Sequence, residues 1–525
     1  MTHAQHVHEQ TRVEGGPSKG LKSGALGLLS SVVIGVSSTA PGYSLAATIG
    51  FVAAAVGLQS PAVLLLAFVP MFCIAYAYRE LNSVDPDCGT TFSWGTRAFG
   101  PRVGWLGGWG IIVADIVVMA NLAQIAGQYG FLLFGADGLA ASSFWTTLVG
   151  AAWIIVLTYV CYRGIELSAR LQYVLLAVEM LALAIFAIVA LVKVYAGSAG
   201  AGAVRPTLAW INPLQIPSFS ALSAGVLLAV FIYWGWDTAV SVNEETRDPA
   251  RTPGRAAVIS TLVLLGVFVL VAVASQSYAG LAVLTDPKNQ GDVLAVLGNQ
   301  VLGSTLGKIL ILAVLSSAAA STQTTILPTA RTTLSMSARR ALPAAFTKMH
   351  PRYQTPTTST IAMGVASVAF YVGLVLTSGN VLADSIAALG LLIAFYYALT
   401  GYACVWRFRR DMHTPRQALT RGVLPLVGAV ILTLAFLKSA HDMYASDYGK
   451  TSFNGVGGVF LLGVGALVLG VLVMIACELA MPAFFRPRAA TTAAATPSAP
   501  VAPAATPLAA SPSATSDEYS RESSG

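Results

Sequence analysis

The chain has 525 residues, of which 55% are hydrophobic and only 10% charged, with a mean hydropathy of +0.71. A soluble domain carries roughly 25% charged residues, so this composition excludes a protein that meets water over most of its surface. It points instead to a bilayer, where each spanning helix needs about 20 apolar residues. The net charge of +7 sits between apolar runs, so it reads as a topology signal rather than a nucleic-acid surface, and no nucleic-acid partner is expected.

In chain order, residues 1–23 are polar and carry His3, His6 and His8, with no signal-peptide pattern. They read as a cytoplasmic N-terminal tail without metal. Apolar runs follow near 24–56, 61–79, 104–133, 146–162, 171–194, 220–242, 256–280, 306–336, 358–377, 383–406, 421–438 and 456–477. These predict about twelve transmembrane helices in one transport domain, 24–477. The first, third and eighth runs exceed a straight span and must tilt, break or continue into loops. With the N-terminus inside, inner segments hold 24 of the 30 Lys and Arg residues. Both termini are therefore expected in the cytoplasm and the protein in the cytoplasmic (inner) membrane. Cys73, Cys88, Cys161, Cys404 and Cys477 are scattered without ligand spacing and read as small core residues. The C-terminal tail, 478–525, is Ala/Pro/Thr/Ser-rich over 488–515 and is expected to be largely disordered.

Two of the runs are interrupted. The first contains Ser37-Ser38-Thr39-Ala40-Pro41-Gly42 after Gly35, and the sixth contains Tyr233-Trp234-Gly235-Trp236-Asp237-Thr238. Pro and Gly in these settings break the helical ladder. Breaks in spans one and six occupy equivalent places in two five-helix halves, the pattern of an inverted-repeat transporter with a midplane site. A broken helix offers free N–H groups at one half-helix start, suited to a carboxylate. It offers free C=O groups at the other half-helix end, suited to an ammonium or metal cation.

Three motifs resemble the amino acid–polyamine–organocation permease superfamily. They are Glu80-Leu81-Asn82-Ser83 leading to Gly89…Trp94 and Ala98-Phe99-Gly100; Gly235-Trp236-Asp237 followed by Asn243-Glu244-Glu245-Thr246-Arg247-Asp248-Pro249 and Pro253; and Ala330-Arg331 leading to Leu342-Pro343, His350-Pro351 and Thr355-Pro356. The likeness covers roughly 24–477. It implies an all-α leucine-transporter-type fold, a five-plus-five inverted repeat plus two helices, with alternating access. It also implies that Ser37, Ser38, Thr39, Ala40, Pro41 and Gly42 hold the substrate carboxylate. The carbonyls near Phe231, Ile232 and Tyr233 would hold its ammonium, and Phe231, Trp234 and Trp236 would line or gate the pocket beside Gly235 and Asp237. The sequence departs from the family where many members carry a Lys in span five: here that place is Glu179, which can bind Na⁺ or carry a proton itself.

Asp115, Glu179 and Asp237 fall within spans, where an ionisable group is costly and marks function by default. They are the candidates for ion or proton coupling, with Asp237 also a candidate amine ligand. An acid-only core hints at a cationic substrate. Ser316, Ser317, Ser321 and Thr322 could complete a Na⁺ site with Glu179. Glu244, Glu245 and Arg247, facing the basic 331–352 segment, form a candidate cytoplasmic gate. The expected function is secondary transport of amino acids or related amines, with a proton as coupling ion. Na⁺ coupling, polyamine or cationic amino acid exchange, and a channel are the alternatives. No enzyme motif appears, no cofactor beyond the coupling ion is expected, and the oligomeric state is left open. The expected partners are a small-molecule substrate and the lipid bilayer.

Overall fold

No water reaches the hydrocarbon core to satisfy backbone N–H and C=O groups, so apolar runs of this length must close their hydrogen bonds internally as helices. A computed structural model of the chain describes residues 19–200, 202–377, 381–449 and 451–486. The helices are α1 (Leu28–Thr39), α2 (Pro41–Val56), α3 (Ser60–Val84), α4 (Thr91–Phe99), α5 (Pro101–Leu133), α6 (Asp137–Ala140), α7 (Ser143–Tyr162), α8 (Ile165–Tyr195), α9 (Phe219–Tyr233), α10 (Thr238–Ser241), α11 (Thr252–Leu284), α12 (Val293–Ala338), α13 (Thr357–Thr377), α14 (Val381–Phe408), α15 (Pro415–Gln417), α16 (Leu424–Met443), α17 (Gly458–Ala480) and α18 (Pro482–Phe485). The only strands among the described residues are a two-residue antiparallel pair, β1 (Ser452–Phe453) and β2 (Val456–Gly457).

The protein is a polytopic all-α membrane protein. Among the described residues ten helical segments are long and apolar enough to cross a bilayer. The twelve expected runs are partitioned differently for two reasons. Leu28–Val84 forms one 57-residue apolar stretch, interrupted at Ala40 and by a short 3-10 piece, Gly57–Gln59. The sixth run is cut to a helix of 15 residues, α9. The tail residues 1–18 and 487–525, including the three N-terminal histidines, lie outside the described residues.

Both expected interruptions are real breaks. Between α1 and α2, Ala40 adopts a left-handed conformation (φ 50°, ψ 68°), and Pro41 opens α2 at its first position, where its missing N–H costs nothing. After α9, Trp234 is extended and Gly235 has φ +119° before the chain re-enters α10. The two breaks touch. A Cβ on Gly235 would lie 2.7 Å from the Ser38 carbonyl oxygen, and one on Gly35 would lie 3.3 Å from the Trp236 carbonyl oxygen. Around this crossing pack α5, α8, α12 and α14. The stretch Ser316–Thr325 of α12 is wholly buried and consists mostly of Ala, Ser and Thr, residues small enough for close helix approach.

The four cysteines Cys73, Cys88, Cys161 and Cys404 are buried and Cys477 is half-buried; all five are free thiols. At the end of the bundle where α1 begins, the Leu26 backbone pairs with that of Glu245 and Arg247 (3.0 and 2.9 Å). At the opposite end, the α11–α12 connection lies on α2: a Cβ on Gly50 would fall 2.6 Å from Gln290 Cα.

Gly235 combines a positive φ with backbone contact, so Gly235→Ala is expected to cost roughly 1–3 kcal/mol in backbone strain alone, with the collision added. Thermal unfolding of the purified protein in detergent should show a lower midpoint than for Gly266→Ala, a helical site where a Cβ meets open space.

Candidate functional site

The first break places the start of α2 against the middle of α8 and α12. The Gly42 N–H donates to Glu179 Oε1 at 2.6 Å. The Tyr43 N–H donates to Ser317 Oγ at 3.0 Å, and the Ser317 hydroxyl donates onward to the same Glu179 oxygen at 2.7 Å. Glu179 is fully buried, and its Oε2 has no partner. A carboxylate on the positive end of a helix is electrostatically favoured. The N–H group at Gly42, expected for a substrate carboxylate, is thus held here by the chain's own acid.

The rest of this segment is also engaged. The Ser38 carbonyl accepts from Ser321 Oγ at 2.9 Å, the Thr39 carbonyl from Ser44 Oγ at 2.6 Å, and Ser38 Oγ shares a hydrogen bond with Thr238 Oγ1 at 2.8 Å. Ser37 Oγ is buried without a partner. Of the α12 hydroxyls considered for a cation site, Ser316 and Thr322 donate back to their own helix, to the carbonyls of Ala313 and Ala318. Only Ser317 and Ser321 reach across. Pro328 brings no N–H to the Thr324 carbonyl four residues earlier, and Thr238 Oγ1 from the second break donates to that carbonyl at 3.4 Å.

At the second break Asp237 accepts from the hydroxyls of Tyr397 (2.9 Å) and Tyr396 (3.2 Å) on α14, and the Trp234 indole N–H donates to Tyr396. Trp236 is fully buried and packs against Tyr78 and Tyr397, each at 5.2 Å between ring centroids. It supports the site from behind, whereas Trp234 lines the cavity. Phe231 packs edge-on against Tyr43, and its carbonyl accepts from the Trp234 N–H at 3.1 Å, so that carbonyl is already engaged. Ile232 and Tyr233 are buried, with the Tyr233 ring against Phe68 and Phe268.

Asp115, on α5, accepts from the Thr329 hydroxyl of α12 at 2.5 Å. Between the breaks lies a cavity of about 10 Å³ whose lining includes Ser38, Asp115, Trp234, Gly235, Asp237 and Thr238. That volume is at the limit for one water, so the two breaks are closed on each other. The lining holds two carboxylates and no Lys, Arg or His. Glu179 lies apart from it, on the α8 side of the first break.

Two of the three residues expected to form a gate, Glu244 and Glu245, are held in ion pairs. Arg331 makes a bidentate pair with Glu245 (Nε–Oε2 2.8 Å, Nη2–Oε1 2.9 Å), and their side chains are 2% and 0% exposed. Arg331, counted by sequence with the basic loop, instead sits inside α12. Glu244 binds Lys19 Nζ (2.6 Å), which also reaches Asp87 (3.0 Å), and Asp87 binds Arg339 at 2.7 Å. Arg247 does not join this cluster: its side chain is exposed, and it contributes its backbone N–H to Leu26. The ligand atoms of Asp87, Cys88 and Glu244 lie within 4.8 Å of one another, an arrangement able to hold a metal ion. The Lys19 ammonium contacts all three residues, so a side-chain cation already serves them. Sequence reading missed Lys19, Asp87, Arg339, Tyr396 and Tyr397. The one available signal was the Asp85-Pro86-Asp87 acid pair beside a basic helix end.

Removing one partner of a buried ion pair leaves an uncompensated charge, so Arg331→Met should cost roughly 3–5 kcal/mol, and the double change Arg331→Met/Glu245→Leu should recover most of it; thermal unfolding of the purified variants checks both. At Asp87, burial alone would raise the carboxyl, but Lys19, Arg339 and the hydroxyls of Ser335 and Ser93 hold it well below the usual carboxylate range. A depressed acid contributes stability above its unfolded value, near 3.8, that is lost as pH falls through the folded value. On acidification below about pH 4 the unfolding midpoint of the native chain should therefore fall more steeply than that of Asp87→Asn.

Residues 26–454 match the amino acid permease family. An uncharacterized transporter of Mycobacterium tuberculosis is 29% identical over 85% of this chain and 90% of its own length. A branched-chain amino acid permease of Bacillus subtilis is 23% identical over 69% of this chain and 76% of its own. A vacuolar cationic amino acid transporter of Arabidopsis thaliana is 24% identical over 61% and 53% respectively. With two broken helices crossing at a closed polar cavity and a family match over most of its length, the chain belongs to the amino acid permease family of membrane transporters.

Proposed function

We propose that the protein is a secondary active transporter that moves amino acids or related amines across the cytoplasmic membrane, driven by protons. The observation that carries this reading is the crossing of the two breaks at a cavity lined by Asp115 and Asp237 with no basic side chain. Such a cavity offers acceptors for an ammonium group, and the relatives named for branched-chain and cationic amino acids share that group in their cargo. In this reading twelve spans form two inverted five-helix repeats plus two helices, flanked by tails 1–23 and 478–525. The Lys19 end of the bundle is cytoplasmic, in keeping with 24 of 30 basic residues on that side.

Glu179 is the proposed coupling group. Its Oε1 already accepts from Gly42 N–H and Ser317 Oγ, while Oε2 is unpartnered and available to a proton. The two donors on Oε1 hold the carboxylate in its ionised form, and a proton arriving at Oε2 would weaken both contacts. Taking up a proton removes the negative charge that holds the α2 start. That loosens the first break and lets the bundle rock, parting the Arg331–Glu245 and Lys19 contacts on the cytoplasmic side.

Reconstituted liposomes test this with labelled amino acids and amines under an inward proton gradient, an inward sodium gradient or neither. Uptake should saturate and accumulate only with the proton gradient, and Glu179→Gln should abolish accumulation while downhill exchange persists. Sodium-driven accumulation, or gradient-independent uptake unaffected by the variant, overturns the coupling assignment. Currents far above carrier turnover would indicate a channel.

A further inference from the structure

A buried acid that couples transport to protons needs a route by which its proton returns to water, and an apolar interior supplies none. The seam between α8 and α12 changes character at the level of Glu179. On α8 the buried residues from Glu179 toward Tyr195 are Ala182, Leu183, Phe186, Ala187, Ala190 and Val194, all apolar. Toward Ile165 the buried residues include Gln172 and Ser168, seven and eleven positions from Glu179. That spacing keeps them on its face of the helix, roughly 11 and 17 Å along the axis. Helix α12 divides at the same level. Leu310, Ile311, Ala313 and Val314 are buried before Ser316, whereas the Ser-Thr-Gln-Thr-Thr stretch 321–325 is buried after Ser317.

The polar half of the seam is connected. Ser317 touches Glu179, and about one turn further along α12 the Ala320 carbonyl accepts from Gln172 Nε2 at 3.0 Å. The same Nε2 donates to Gln323 Oε1 at 3.0 Å, and the Ser168 hydroxyl donates to that oxygen, also at 3.0 Å. Ser168 lies in the first turn of α8, where Glu166 is exposed. Two polar atoms in this cluster are unanswered. Gln172 Oε1, an acceptor, and Gln323 Nε2, a donor, have no partner although both residues are fully buried. Water is the usual answer to such atoms, and a water between hydroxyls and amides can pass a proton on. We infer that the seam formed by Ser317, Gln172, Gln323 and Ser168 carries the Glu179 proton to the Lys19 end of the bundle, cytoplasmic in the proposed orientation. In this step the Glu179 O–H bond breaks and the proton leaves along water held by these side chains to the solvent at that end. The carboxylate then regains its full hold on Gly42 and Ser317. This rests on the coupling role proposed for Glu179 and adds the route of proton release.

The test separates net transport, which needs proton release in every cycle, from exchange of labelled for unlabelled cargo, which does not. Both rates are measured in liposomes holding the native chain, Gln172→Leu, Gln323→Leu or Gln172→Ser. Each Leu variant should slow proton-driven net uptake at least about tenfold while exchange stays within roughly twofold of native, a loss confined to the proton step. Gln172→Ser keeps a hydroxyl and leaves room for water, so its net uptake should exceed that of Gln172→Leu. A packing role predicts the reverse order, because Ser leaves a void that Leu fills; Ser slower than Leu therefore overturns the seam. Net uptake and exchange falling together in both Leu variants, or net uptake unchanged in both, also overturns it. Should neither Leu variant fold, Ser168→Ala decides by the same split between net uptake and exchange. These outcomes leave the coupling role of Glu179 standing, whereas a native chain without proton-driven uptake overturns that role and the seam with it.

Discussion

A helix cut in the middle of a bilayer must have every exposed backbone group answered by protein, because lipid answers none. That constraint organises the centre of this molecule. The break before α2 releases two usable N–H groups, and α8 and α12 supply a carboxylate and a hydroxyl to meet them. The break after α9 releases a turn of backbone, and it packs directly on the Ser38 carbonyl through a glycine that has no side chain to obstruct it. Glu179, Ser317 and Ser321 each meet backbone that the first break leaves irregular.

The same helix that answers the first break also anchors the ion pairs at the bundle end. Ser317 and Arg331 are 14 residues apart on α12, about 21 Å along the axis and close to four full turns. They therefore project to similar sides of one continuous element. At one level this helix holds Glu179 in place. At the other it holds Glu245 through Arg331 and, two turns on, Asp87 through Arg339. One element thus joins the buried Glu179 to the ion pairs at the bundle end, and α12 packs on α5, α8 and α13 along its length.

Much of this was legible in the sequence because lipid forces a simple code. Long apolar runs, Ala40-Pro41-Gly42 and Gly235 located the breaks, and the rarity of acids in apolar runs singled out Asp115, Glu179 and Asp237. Pairings were not legible. Nothing in the spacing brings Tyr396 and Tyr397 to Asp237, or Lys19 to Glu244 across 225 residues, since those contacts depend on how helices pack. Arg331 was misplaced because a basic residue near a run's end looks like loop, whereas α12 continues to Ala338. Trp236 packs behind the site while Trp234 lines the cavity, because an irregular turn does not follow the helical period that would assign their faces.

Pro328 gives the architecture a further property. A proline within a helix strands one carbonyl, and here the stranded Thr324 oxygen is taken by Thr238 from the opposite broken segment. The defect in the scaffold helix and the defect in the second broken segment thus share a single fastening, without which Thr324 would be left bare in a dry interior. The flaw in α12 is thereby turned into a point of attachment, tying the second break to the scaffold helix.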